Sequence, residues 1–203
     1  VITAQMVKEL RERTGAGYLD CRKALAETDG DFDKAAERLR EWGIAAAGKK
    51  AGRAADQGLV EAYIHGEGRL GVLIEVNCET DFVARTPEFR SFVHDLAMQV
   101  AARKPLWVAK EDVPGEVVER ERQVLLAQAR QEGKPESVVG RIVEGRMAKF
   151  FSESCLLEQA YIRDQEKDAR KIADLIREMI ARFGENLRVK RFVRMELGEK
   201  NDH

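Results

Sequence analysis

The spacing of apolar positions changes along the chain, and each spacing predicts a different kind of element. Through the first 45 residues the spacing is helical. Thr3 is placed to cap a helix carrying Val7 and Leu10, and the glycines of Thr14-Gly15-Ala16-Gly17 end it. A second short helix runs through Leu19, Ala24 and Leu25 to Thr28-Asp29-Gly30. Asp31 caps a third, in which Phe32, Ala35, Ala36 and Leu39 fall at i, i+3, i+4 and i+7, a single buried stripe that Trp42 extends. From Gly43 to Gly58 no large apolar residue follows Ile44, a composition that holds no core and reads as a linker, in part helical.

The period then falls to two. Leu59 to His65 and Leu70 to Val76 read as strands joined by the hairpin connection Gly66-Glu67-Gly68-Arg69. Asn77 to Arg85 follows as a loop, and Thr86-Pro87 opens a helix through Phe92, Val93, Leu96, Ala97 and Val100. Two long helices come next: one from about Gly115 to Glu132 with Val117, Val118, Val124 and Leu125, the other with Val138, Val139, Ile142, Val143, Met147, Phe150 and Phe151. The turn Gly133-Lys134-Pro135 between them, and their narrow stripes of near-coiled-coil width, predict an antiparallel helical hairpin over 115–151 that projects from the core. An amphipathic helix (Ala169, Ile172, Ala173, Ile176, Ile180, Phe183) ends at Gly184-Glu185-Asn186. In the final strand Leu187, Val189, Arg191, Val193, Met195 and Leu197 alternate with Arg188, Lys190, Phe192, Arg194 and Glu196. The predicted class is α+β: a three-helix module over 1–45, a linker over 46–58, and a core over 59–203 built on a three-stranded antiparallel sheet. Three strands leave edges and a face to cover, which predicts self-association.

Charge narrows the function classes. The 203 residues include 35 Lys or Arg and 36 Asp or Glu, a net charge of -1, so the cationic excess of a broad nucleic-acid binder is missing. No apolar run reaches membrane-spanning length and no signal-peptide core opens the chain, which predicts a cytoplasmic protein. Cys21, Cys78 and Cys155 lie far apart, excluding a disulfide scaffold or a four-ligand zinc site.

Catalytic signals are weak. Gly43-Ile-Ala-Ala-Ala-Gly48-Lys49-Lys50 nearly spells a phosphate-binding loop, but it ends in Lys50 where a hydroxyl is needed, and it follows a helix rather than a strand. Gly66-Glu67-Gly68-Arg69-Leu70-Gly71 fits a dinucleotide fingerprint but opens a strand, where the pyrophosphate requires a helix N-terminus. His65, His94 and His203 neighbour no Ser or Cys nucleophile at a recognisable spacing. No enzyme, cofactor or metal is expected. The more unusual segment is Thr80-Asp81-Phe82-Val83. Either Phe82 folds back into the core, as buried aromatics do, or it protrudes as a wedge for a partner's pocket.

Longer strings carry a resemblance. Leu10-Arg11-Glu12-Arg13-Thr14-Gly15-Ala16-Gly17 with Asp20-Cys21-Arg22-Lys23-Ala24-Leu25, and Glu75-Val76-Asn77-Cys78-Glu79-Thr80-Asp81-Phe82-Val83-Ala84, closely resemble the two signatures of the elongation factor Ts family. Gly133-Lys134-Pro135, Glu144-Gly145-Arg146-Met147 and Gly184-Glu185-Asn186 extend the resemblance over essentially the whole chain. It implies a translation factor that binds GDP-bound elongation factor Tu, displaces Mg2+, disturbs the phosphate site and lets GTP rebind. The three helices would form a ubiquitin-associated-like module with Arg11, Tyr18 and Leu19 at the partner contact. Many relatives have Met-Met where this chain has Tyr18-Leu19, which changes the contact while keeping it bulky and apolar. Thr80, Asp81, Phe82 and Val83 would dislodge the partner's Mg2+, and His65 is added to the partner-binding residues, although a hairpin-end histidine is more often simply solvated. With room for one core half-module, the chain resembles the short form of the family, which implies a homodimer and no direct binding of nucleotide, nucleic acid or membrane. Two rival readings stay open: an adaptor that only binds partners through its module and hairpin, and an RNA binder using Arg188, Lys190, Arg191 and Arg194.

Overall fold

The computed structural model describes residues 2–165 and 169–199; His203 lies outside the described residues. Among the described residues the chain is mixed α and β, with helices α1 (Ala4–Thr14), α2 (Tyr18–Glu27), α3 (Phe32–Lys50), α4 (Asp81–Ala84), α5 (Pro87–Arg103), α6 (Gly115–Gln131), α7 (Glu136–Ser154) and α8 (Ile172–Phe183). Strands β1 (Gln57–His65), β2 (Leu70–Cys78) and β3 (Arg188–Glu196) form one sheet in the order β1-β2-β3. The β2–β3 register is antiparallel, since Leu197 N–H reaches Arg69 O while Arg191 pairs with Glu75. The predicted α+β class with a three-stranded antiparallel sheet is the observed one.

The chain divides into two compact units. The first comprises Val1–Leu59, Val76–Arg90 and Asp174–Arg188. Its helical part begins as the capping residues predict. Thr3 Oγ1 accepts Met6 N–H at 3.2 Å, Gly15 closes α1 at φ +71°, and Asp31 accepts Asp33 N–H and Lys34 N–H at 3.1 and 3.0 Å. Val7, Leu10, Cys21, Ala24, Leu25, Ala35 and Leu39 make the core of α1, α2 and α3. Helix α3 continues to Lys50, into the stretch whose composition suggested a linker, and Ala47 on it is buried. This is a helical part of the kind expected of that stretch, since alanine favours a helix. The C-terminal end of α8 packs on this helical part. A Cβ added at Gly43 would meet the Ala181 Cβ at 3.0 Å, and one at Gly15 would lie 2.9 Å from Arg182 Nε. Arg182 in turn pairs with Glu88, and Phe89 and Phe183 meet edge to face at 6.0 Å.

The second unit comprises Val60–Glu75, Ser91–Ala173 and Val189–His203. Here α5 covers one face of the sheet: His94 Nδ1 is 2.8 Å from Glu61 Oε1, and Arg194 Nε donates to Ala101 O. The opposite face is left open, with Val60, Ile64, Leu73, Val193 and Met195 exposed. Along β3 the apolar series divides: Val189 is buried, but Val193 and Met195 further on are exposed, while the Arg194 side chain, on the covered face, is only 8% exposed. Alternation gives two faces and does not say which one is covered. Helices α6 and α7 form the predicted antiparallel hairpin around Leu125, Ala129, Val139, Val143 and Met147. Val124, counted with the stripe of α6, is exposed, and Ala129 takes the buried place a turn further on. Helix α8 begins at Ile172, so Ala169, expected on its stripe, lies ahead of it.

Tyr161 gives this unit an alkaline limit. Its hydroxyl donates to Asp95 Oδ2 at 2.9 Å, and burial, reinforced by the Asp95 carboxylate, pushes its pKa from 10.0 up to about 12. The folded chain therefore keeps this proton while the unfolded chain loses it. The resulting stability is full below about pH 10 and is lost as pH rises toward about 12. Urea unfolding from about pH 9 to 11.5 is expected to show a shallower loss for Tyr161→Phe than for wild type. Equal slopes would contradict it.

Candidate functional site

The candidate site grows out of the end of β2. After Cys78 the chain turns at Glu79 and Thr80 into α4, a single helical turn in the segment expected to be a loop. Thr80 is extended at φ −127° and ψ 154°, and its Oγ1 lies 3.5 Å from Val83 N–H as an N-cap. Ala84 N–H returns to Thr80 O at 3.3 Å and Arg85 N–H to Asp81 O at 3.1 Å. On the far side Thr86 Oγ1 donates to Val83 O at 2.8 Å and accepts Phe89 N–H at 3.2 Å, so one threonine closes α4 and caps α5. The turn is thus fixed at both ends.

With Ala84 buried inward, helical geometry of about 100° per residue carries Phe82, two positions earlier, to the outside. Phe82 is 80% exposed. The alternative in which it folds back into the core is overturned. Leaving a phenyl ring in water forgoes roughly 2 kcal/mol of burial. That free energy is available to a partner that offers a pocket. Beside it, Val83 is half-buried, and the Asp81 carboxylate pairs with Arg85 at 2.8 Å on the surface, a contact of small net worth.

Behind the turn the polar groups are satisfied by residues distant in sequence. Glu185 Oε2 accepts Glu79 N–H at 3.1 Å and Thr80 N–H at 3.0 Å, and its Oε1 accepts the Thr80 hydroxyl at 2.6 Å. In return Glu79 Oε1 accepts Asn186 N–H at 2.6 Å. The buried Asn186 side chain donates to Ala51 O at 3.3 Å and Arg53 O at 2.7 Å, just beyond the end of α3. Cys78 Sγ donates to Thr80 O at 3.1 Å; burial, with the Glu185 carboxylate adding to it, pushes this thiol up to about 11, so it stays a donor. In the sequence Gly184-Glu185-Asn186 is only a helix stop and part of a familiar string. No local pattern says that Glu185 reaches a backbone 105 residues away.

Of the remaining candidates, Arg11 is exposed on the last turn of α1, while Tyr18 and Leu19 open α2 and are exposed, Leu19 at 74%. Two apolar side chains left out of the module's core fit a contact surface better than a stripe. These three residues and Thr80–Val83 belong to the same compact unit. His65 belongs to the other, at the exposed end of β1, with Nδ1 2.9 Å from the Tyr63 hydroxyl and the two rings stacked at 5.9 Å. Gly43 to Lys50, the near phosphate-loop string, lies inside α3, and Gly66 to Arg69 is the turn between β1 and β2. Among the described residues no cluster of His, Cys, Asp or Glu is arranged to hold a metal ion, and no helix is long and apolar enough to cross a membrane.

Comparison with known proteins agrees in one direction. A family model described as "Elongation factor TS" matches residues 48–199. The chain is 62% identical over 199 residues to the elongation factor Ts of Caldanaerobacter subterraneus subsp. tengcongensis, covering 98% of both chains. It is 61% identical to that of Carboxydothermus hydrogenoformans, over 98% of this chain and 90% of the relative. The elongation factor Ts of Moorella thermoacetica is 60% identical, over 98% and 97%. With matches spanning both compact units and both signature strings, the chain belongs to the elongation factor Ts family, and its role is that of a translation elongation factor.

Proposed function

We propose that this protein is a guanine-nucleotide exchange factor that docks on GDP-bound elongation factor Tu and drives GDP off with a mechanical wedge, performing no bond chemistry of its own. The observation that carries the reading is Phe82, 80% exposed on a turn capped at both ends. An aromatic side chain carried into water on a backbone turn fixed at both ends is suited to enter a pocket on another protein, since the backbone part of its ordering cost is already met. Arg11, Tyr18 and Leu19 supply the docking surface, and a ubiquitin-associated-like role for α1, α2 and α3 is part of the proposal.

The mechanism follows from linkage. A GTPase holds GDP through backbone groups, a lysine and Mg2+ around the phosphates. Entry of Phe82 between partner helices displaces the loops that seat Mg2+ and the phosphates, with Asp81 beside it acting on polar groups near the metal. Thr80 and Val83 hold the turn. A factor that binds the nucleotide-free GTPase better than the GDP-bound form must lower GDP affinity by the same coupling free energy. Titration of this protein into elongation factor Tu with and without GDP is therefore expected to give at least about tenfold tighter binding to the empty form. Equal affinities would leave only the adaptor reading.

The same proposal includes pairing of two copies. Its support is the open sheet face of the second unit, where Met195 is 69% exposed beside Val193, Leu73, Ile64 and Val60. A contiguous apolar patch on a sheet face is a common mark of an interface. Light scattering is expected to give the mass of a dimer for wild type and of a monomer for Met195→Glu, with unchanged helix content. A monomeric wild type would remove this part.

A further inference from the structure

Resting on the reading of Phe82 as the wedge, we infer that Glu185 is a positioning residue that sets the aim of that ring from the end of α8. A carboxylate has two oxygens and no donor, so it can take several N–H and O–H groups at once. Glu185 uses both oxygens on one target: the Glu79 and Thr80 N–H groups share Oε2, and the Thr80 hydroxyl takes Oε1. These three bonds fix the peptide that immediately precedes α4. Thr80 Oγ1 is the cap of that same turn, so its hydroxyl proton, given to Glu185, orients the lone pairs offered to Val83 N–H. A rotation at Thr80 would swing Phe82, two residues on, and the clasp forbids it.

The clasp is also tied to the helical module. Asn186 N–H binds Glu79 Oε1, closing a reciprocal pair with Glu185, while its side-chain amide binds Ala51 O and Arg53 O. One turn earlier in α8, Arg182 approaches Gly15 in the α1–α2 connection and Ala181 packs at Gly43 of α3. Within this unit α8 is a strut. Its last turn rests on the α1–α2 connection at Gly15, between Arg11 and Tyr18, and on α3 at Gly43, and the two residues after Gly184 grip the wedge turn. Docking and wedge entry are thereby held in one fixed geometry, and Glu185 acts on exchange without touching nucleotide.

The test measures release of a fluorescent GDP analogue from elongation factor Tu against factor concentration, together with amide exchange of Glu79 and Thr80 in the free protein. Glu185→Ala is expected to lower the maximal release rate about tenfold, leave the half-saturating concentration within about twofold, and speed exchange of both amides at least about tenfold. Glu185→Gln can give its oxygen to both N–H groups and its NH2 to Thr80 Oγ1, so it is expected to stay within about twofold of wild type. The double variant Phe82→Ala/Glu185→Ala is expected to be no slower than Phe82→Ala, because an absent ring cannot be misaimed. Should Glu185→Ala fail to fold, Thr80→Val removes the hydroxyl arm together with the cap on Val83 N–H, keeps both N–H bonds to Glu185, and is expected to lower the maximal rate about threefold. Wild-type rates and amide exchange in these variants would overturn the inference, as would a double variant slowed by the full factor of each single. If Phe82→Ala itself matches wild type, the wedge reading falls, and amide exchange alone then judges the clasp.

Discussion

Phe82→Ala is expected to fold like wild type and to lose most of its power to release GDP. The ring is 80% exposed, so truncation leaves no cavity, and stability should stay within about 0.5 kcal/mol of wild type. The exchange defect should be large for the same reason. A buried aromatic anchor at an interface typically carries at least about 2 kcal/mol, which corresponds to roughly thirtyfold in rate. If wedge entry follows docking as proposed, that loss should appear in the maximal rate, while the half-saturating concentration, assigned in the proposal to Arg11, Tyr18 and Leu19, should move little. Leu19→Ala is the natural contrast, since it should raise the half-saturating concentration and spare the maximum. A Phe82→Ala variant that weakens docking and leaves the maximal rate intact would recast the ring as a mere contact.

The second large effect concerns stability and falls on Gly58. This residue lies in β1 at φ +144°, where a side chain is strained, and an added Cβ would sit 2.2 Å from Val76 O and 2.8 Å from the Asn77 Cα. Both obstacles are backbone of β2, which cannot swing aside as a side-chain tip would. Gly58→Ala must therefore part the two strands just before Cys78 and the wedge turn. Backbone strain and overpacking each cost about 1–3 kcal/mol, so a total near 3 kcal/mol or more is expected. Chemical denaturation would measure it as a lowered midpoint, and exchange activity should fall with the folded fraction. A midpoint within error of wild type would contradict the close approach.

Gly58 also illustrates what the sequence could convey. It stood at the end of an Ala- and Gly-rich stretch and read as the last residue of a linker, whereas it belongs to a strand. Periodicity located the elements built on large apolar residues: the stripe of Val139, Val143 and Met147, the alternation of Val72, Ile74 and Val76, and the caps Thr3, Asp31 and Thr86. It gave no boundary where small residues carry the structure: the stretch after Ile44, read as a linker in part helical, continues α3 through Ala47 to Lys50. It failed where the question was which face finds a neighbour, as for Val193 and Met195, because that depends on elements far along the chain. The candidate site divides in the same way. Thr80 to Val83 stood out as an acid followed by apolar residues between a strand and a capped helix. Their support from Glu185 and Asn186 did not, since it crosses more than a hundred residues and uses a backbone that has no sequence signature.

On the proposed function, this protein loosens the hold of elongation factor Tu on GDP. The most direct measurement is stopped-flow release of a fluorescent GDP analogue from elongation factor Tu, with excess unlabelled GDP present and increasing concentrations of this protein. The expected result is a release rate that climbs with concentration and saturates at least about a hundredfold above the spontaneous rate, enough to contain the roughly thirtyfold expected of Phe82. A rate that stays at the spontaneous value while the two proteins demonstrably bind would contradict the account.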